Sequence, residues 1–95
     1  MKELIEAIEQ MRKSRGWDKT DDLASLIKSV NVEASELLET IQWDEEHVNM
    51  SDVKSELADV IMYAVAIAID NNWDVTEIVK QKIKEVYLKY PEKND

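Results

Sequence analysis

SELADVIMYAVAIAID, residues 55–70, is the stretch on which the fold turns. From Leu57 to Ile69 every residue except Asp59 is apolar, Tyr63 included, and the apolar positions go all the way round a helix of 3.6 residues per turn. Such a helix is expected to be buried. Its uninterrupted apolar run, Val60 to Ile69, falls well short of the roughly 20 residues that span a bilayer, so it reads as a core helix. Ser51 is read as its N-cap and Asn71 with Asn72 as its stop.

Working outward, one glycine and one proline in 95 residues leave few turn signals, and the remaining pattern is helical. A first helix is predicted from about Lys2 to Arg15, with Leu4, Ile5, Ile8 and Met11 on one face and Gly16 where it ends. A polar break, Trp17 to Asp22, supplies Asp21 or Asp22 as the cap of a second helix, whose apolar residues run from Leu23 to Ile41. A second break, Asp44 to Met50, precedes the apolar helix. Asp74 caps a fourth helix, with Glu77 as capping-box partner, and Val75, Ile78, Val79, Ile83 and Val86 are expected to form its buried stripe until Pro91. Residues 92–95 are expected to fray.

The fold class expected is therefore all-α, a four-helix bundle-like single domain over residues 1–95. A helix apolar on every side needs more cover than three neighbours in so short a chain supply. The expectation is a bundle completed by oligomerisation, as a homodimer or homotetramer. The third and fourth predicted helices would contribute to the contact, with active sites at or near subunit boundaries.

The formal charge of −9, from 21 acidic against 12 basic residues, excludes a protein that grips a nucleic acid polymer through its phosphates, since that mode needs a basic face. A nucleotide would need bridging cations. There is no cysteine, hence no thiolate chemistry, and the charged N-terminus does not resemble a signal region. A cytoplasmic protein without a membrane segment is expected.

The chemistry lies in two acidic pairs. Glu33 and Glu36 fall roughly 60° apart on the second helix, at the edge of its apolar stripe, whereas Glu39 points towards the polar face as a more remote supporting group. Glu56, Asp59, Tyr63 and Asp70 share an arc of roughly 60° on the apolar helix. An ionised Asp59 there would carry a desolvation cost of several kcal/mol unless paired or bound to a metal, so it ranks first among the four.

Lys28 and Lys54 lie on the far sides of their helices, and nothing basic lies between Lys54 and Lys80, so no local salt bridge is evident. If the two helices pack antiparallel, four carboxylates converge. Hard oxygen donors without cysteine or a Glu-x-x-His pair suit Mg2+, or Mn2+ in its place, better than zinc or a di-iron centre. His47, the only histidine, reads as an ordinary surface residue.

Glu33-Ala34-Ser35-Glu36 with Leu37-Leu38-Glu39, then Gln42-Trp43, then Glu56-Leu57-Ala58-Asp59, together with Arg15-Gly16-Trp17-Asp18 and Lys89-Tyr90-Pro91, resembles the MazG-like nucleoside triphosphate pyrophosphohydrolases, nearest their dCTP pyrophosphatase branch. The resemblance implies cleavage of a nucleoside triphosphate, dCTP-like or modified, to monophosphate and pyrophosphate in nucleotide-pool house-cleaning. It implies Glu33, Glu36, Glu56 and Asp59 as magnesium ligands, with Glu33 or Glu36 as catalytic base. It also implies Trp17 and Trp43 as stacking partners of the base, Tyr63 lining the sugar pocket and Lys82 contacting phosphate.

Two positions depart from relatives: Asp21 where many have a histidine, and Val86 where they have an asparagine. The competing readings are a helical interaction module whose acidic face binds a basic protein, and a degenerate relative that binds nucleotides without cleaving them.

Overall fold

The computed structural model describes residues 1–91, so the expected fraying of residues 92–95 lies outside it. Its helices are α1 (Lys2–Ser14), α2 (Trp17–Thr20), α3 (Leu23–Glu39), α4 (Met50–Asp70) and α5 (Val75–Lys89), and the fold is all-helical as the sequence implies. The fifth helix is α2, a single turn within what reads as an irregular break. Gly16, at φ 72° in the left-handed region that glycine tolerates, ends α1 and turns the chain. The backbone N–H groups of Lys19 and Asp21 then donate to the carbonyls of Gly16 and Trp17 at 3.2 and 2.9 Å.

Capping fixes the other starts. Asp22 heads α3 with a reciprocal pair of bonds: its carboxylate accepts from the Ser25 N–H at 2.7 Å and its own N–H donates to the Ser25 hydroxyl at 3.0 Å. Asn49, and not Ser51, caps α4, because its side-chain oxygen accepts from the N–H groups of both Ser51 and Asp52. Asp74 caps α5 through the Glu77 N–H at 3.0 Å, while among the described residues the return bond from the Glu77 carboxylate is not made.

α3 and α4 form the principal pairing, a long helical hairpin, and α1 lies across α4. Leu26, Ile8, Val65, Ala66 and Ala68 are the buried apolar residues. The buried Arg12 of α1 donates two bonds to the Asp70 carboxylate at 2.8 and 2.9 Å, which ties α1 to the end of α4. Asp70 therefore has its cation from a distant helix, and the polar seam read along α4 divides between this ion pair and the acidic cluster.

Two faces expected to be covered are left open by the single chain. α4 is covered on only part of its circumference, with Leu57 and Ile61 well exposed, because α1 and α3 cannot enclose a cylinder by themselves. α5 buries no residue at all. The Asn71–Asp74 connection, with Asn72 at φ 56°, sends it away from the hairpin, and its apolar stripe faces outward. Among the described residues no helix is long and apolar enough to cross a membrane.

Candidate metal centre

The i, i+3 spacing places Glu33 and Glu36 one turn apart on α3, and Glu56 and Asp59 likewise on α4. Because the two helices pack side by side, one carboxylate oxygen from each of the four residues lies within 4.8 Å of all the others. All four side chains are half-buried. Glu39, on the same helix as the first pair, is exposed and stands outside the cluster.

Among the described residues no cationic side chain pairs with the cluster. Among the described residues the ion pairs are Arg12 with Asp70, His47 with Asp44, and Lys82 with Glu85, and none reaches these carboxylates. One oxygen each of Glu33 and Glu56, Oε2 in both, is fully shielded from water with no hydrogen-bond partner. Orphaned anionic oxygens in a half-buried setting carry a large desolvation cost unless protonated or bound to a cation.

The titration behaviour follows from this crowding. The Glu33 carboxyl is pushed up to about 7, first by the hydrogen bond it makes with Glu36 when one of the two is protonated, then by burial and by the charges of Glu36, Asp59 and Glu56. Glu56 is raised by burial first, then by its hydrogen bond and charge interaction with Glu36. Tyr63 is raised by burial and by the charges of Glu33, Asp21, Asp59 and Glu36. The sequence ranked Asp59 as the carboxylate least explicable without a partner; the structure leaves the orphaned oxygens on Glu33 and Glu56. An all-oxygen donor set, clustered and unneutralised, fits a hard divalent cation.

The remaining sequence candidates divide. Trp17 and Tyr63 line one small void with Asp21, Leu26, Met62 and Arg12, of about 10 Å3. That is room for at most one water. Trp17 keeps an outer face, 40 % exposed, with the Arg15 guanidinium 5.5 Å from its ring. Trp43 stands 85 % exposed in the α3–α4 connection. Lys82 is an exposed residue of α5, paired with Glu85 at 3.3 Å, and is not brought to the carboxylates. His47 is on the surface beside Asp44, as expected. The Arg12–Asp70 pair was missed, since 58 residues separate its members.

A helical hairpin that sets a Glu-x-x-Glu pair against a Glu-x-x-Asp pair defines an all-α protein with a carboxylate centre able to hold a metal ion. The family is the MazG-like family: its model matches residues 28–95, and the chain belongs to it. The structure is similar to that of a pyrophosphatase from Archaeoglobus fulgidus, with a TM-score of 0.88 and 34 % identity over 97 % of this chain and 93 % of that one. Comparison with curated proteins returns no match.

Proposed function

We propose that this protein is a divalent-cation-dependent nucleoside triphosphate pyrophosphohydrolase, which cleaves between the α and β phosphates to give a nucleoside monophosphate and pyrophosphate. The observation that carries the reading is the set of four convergent carboxylates with two shielded, unpartnered oxygens and, among the described residues, no cationic side chain paired with them. Membership of the MazG-like family and the likeness to a pyrophosphatase support the reaction class.

In this reading Glu33, Glu36, Glu56 and Asp59 hold Mg2+, with Mn2+ as a substitute. Such an ion would offset the carboxylate charge, bridge to phosphate oxygens and polarise the attacking water. Glu33 or Glu36 accepts the proton of that water. Without a cation, the four carboxylates would repel a polyphosphate. Trp17, Trp43, Tyr63 and Lys82 belong to the proposed substrate-binding set. A base engaging Trp17 and Tyr63 either displaces α2 or stacks on the outer face of Trp17, since the void between them has room for at most one water.

The reading includes a nucleotide-pool role on dCTP-like or modified triphosphates, in the cytoplasm, by a homodimer or homotetramer. The test is a panel of ribo- and deoxyribonucleoside triphosphates with Mg2+, followed by phosphorus NMR of the products. Pyrophosphate with monophosphate is expected for at least one substrate; turnover of none, or release of orthophosphate alone, contradicts the reading.

A further inference from the structure

A base that engages Trp17 has two sides of the ring to meet, and they are not equally open. Inside, the ring lies over a void of about 10 Å3 whose other walls include Ile8, Leu26 and Ala66. These three are 4 %, 2 % and 2 % exposed, so seating a planar base among them would open the core of the chain. Outside, Trp17 keeps an exposed face. A base that stacks on Trp17 without unpacking the fold uses this outer face.

The outer face already has a neighbour. Arg15, an exposed residue, holds its guanidinium 5.5 Å from the centre of the Trp17 ring. Gly16 is the cause: between the two residues it turns the chain at φ 72°, and the turn folds its neighbours together. The backbone on both sides is pinned. The N–H groups of Arg15 and Gly16 donate to the carbonyls of Arg12 and Lys13 at 3.2 and 3.1 Å, and the Lys19 N–H donates to the Gly16 carbonyl at 3.2 Å. What is free to move is the Arg15 side chain, which donates a single long bond from Nη1 to the Ser14 hydroxyl at 3.5 Å. Among the described residues it has no carboxylate partner, although the chain carries 21 acids against 12 bases.

A planar guanidinium and an indole are both stacking surfaces for a base. Van der Waals contact at about 3.5 Å on each side requires the two to stand about 7 Å apart. Starting from 5.5 Å, the guanidinium has to withdraw by about 1.5 Å, which a change of side-chain rotamer supplies. Charge favours the same place. Residues 12–19 carry Arg12, Lys13, Arg15 and Lys19 against Asp18 alone, and Arg12 is committed to Asp70. In a chain of net charge −9 this is a local cationic surface, to which a polyphosphate ester is drawn.

We infer that Arg15 is a binding residue of the nucleotide site: the nucleobase enters between its guanidinium and the outer face of Trp17, which form the two jaws of a clamp. This rests on the proposed nucleotide substrate and on stacking at Trp17, and is independent of the hydrolytic step. Because every base has a π face, the clamp holds base-bearing nucleotides as a class and does not choose among bases.

The test uses the α,β-imido analogues of dCTP and dATP, which keep the base and resist cleavage between the α and β phosphates. Inorganic tripolyphosphate is the probe that has no base. Binding to the full chain is measured by calorimetry with Mg2+ for the parent protein, Arg15→Ala and Arg15→Lys, and circular dichroism confirms that each is folded. Both analogues should bind Arg15→Ala about tenfold more weakly than the parent protein. Arg15→Lys, which keeps the charge and loses the plane, should not restore them. Tripolyphosphate should bind all three proteins alike.

An equal loss for tripolyphosphate places Arg15 on the phosphates and overturns the clamp. Unchanged analogue affinity in Arg15→Ala overturns it as well, and a loss found instead in Trp43→Ala makes Trp43 the second jaw. Hydrogen exchange that rises across residues 17–21 when an analogue binds shows α2 displaced and the base on the inner side, which also overturns it. Failure of the parent protein to bind either analogue removes the nucleotide reading and the clamp with it. Analogue binding that Arg15→Ala weakens, in a protein that turns over no triphosphate, supports the clamp and removes the hydrolytic reading alone.

Discussion

The Glu33 carboxyl is pushed up to about 7 by its hydrogen bond with Glu36, by burial and by the charges of Glu36 and the two α4 carboxylates, and this is open to direct measurement. With its carboxyl at about 7 against 4.5 in the unfolded chain, the folded state binds this proton more tightly. The contribution to stability is fully present below 4.5 and is lost as the pH rises through 7, so the metal-free protein should be more stable at pH 5 than at pH 8. A cation must displace the proton. From that midpoint Glu33 is roughly nine-tenths protonated at pH 6 and one-tenth at pH 8, so apparent affinity for Mn2+ should fall about tenfold between pH 8 and pH 6, with proton release at the lower pH. The assay is carbon NMR of labelled glutamate carboxyls in the metal-free protein, paired with calorimetric Mn2+ titrations in buffers of different ionisation enthalpy. Glu36→Gln removes the largest cause of the shift, so it should bring the Glu33 midpoint down towards 4.5. A Glu33 midpoint between 4 and 5 in the parent protein, or one that Glu36→Gln leaves in place, would refute the reasoning.

Two further perturbations bear on stability and catalysis. Arg12→Ala leaves Asp70 without its buried bidentate partner; because the Asp70 side chain is one-third exposed and solvent screens it, the loss should fall at or below the low end for fully buried pairs, about 2–3 kcal/mol. That corresponds to a fall in Tm of roughly 10–20 °C, and a loss below about 0.5 kcal/mol in urea denaturation would show the pair to be incidental. Asp59→Asn should abolish cation-dependent hydrolysis, a fall of at least about a hundredfold, with helicity by circular dichroism retained; hydrolysis at the parental rate would remove Asp59 from the site.

The carboxylate cluster was legible because its two determinants are local. Spacing at i, i+3 fixes each pair on one helix face, and a short connection brings consecutive helices together. Which member bears the burial was not legible. Asp59 has apolar neighbours along its own helix, but the oxygens cut off from water belong to Glu33 and Glu56, whose environment depends on what the facing helix covers.

The Arg12–Asp70 pair spans 58 residues and leaves no periodic trace, so the seam on α4 read as one feature when it is two. Ser51 looked like a cap by residue type, yet Asn49 holds both free N–H groups, because geometry at a helix start is decided by side-chain reach and not by preference alone. α5 marks another limit. Its stripe at Ile78, Val79, Ile83 and Val86 has the periodicity of a buried face, and periodicity says that a face wants cover without saying which chain provides it.

The central claim is that Glu33, Glu36, Glu56 and Asp59 together hold a divalent cation. Calorimetric titration of Mn2+ at pH 8 into the parent protein and into the Glu56→Gln/Asp59→Asn double variant tests it most directly, with circular dichroism confirming that both are folded. The account predicts saturable binding by the parent protein and none by the folded variant. Equal binding by the two, or no saturable binding by the parent protein, would contradict it.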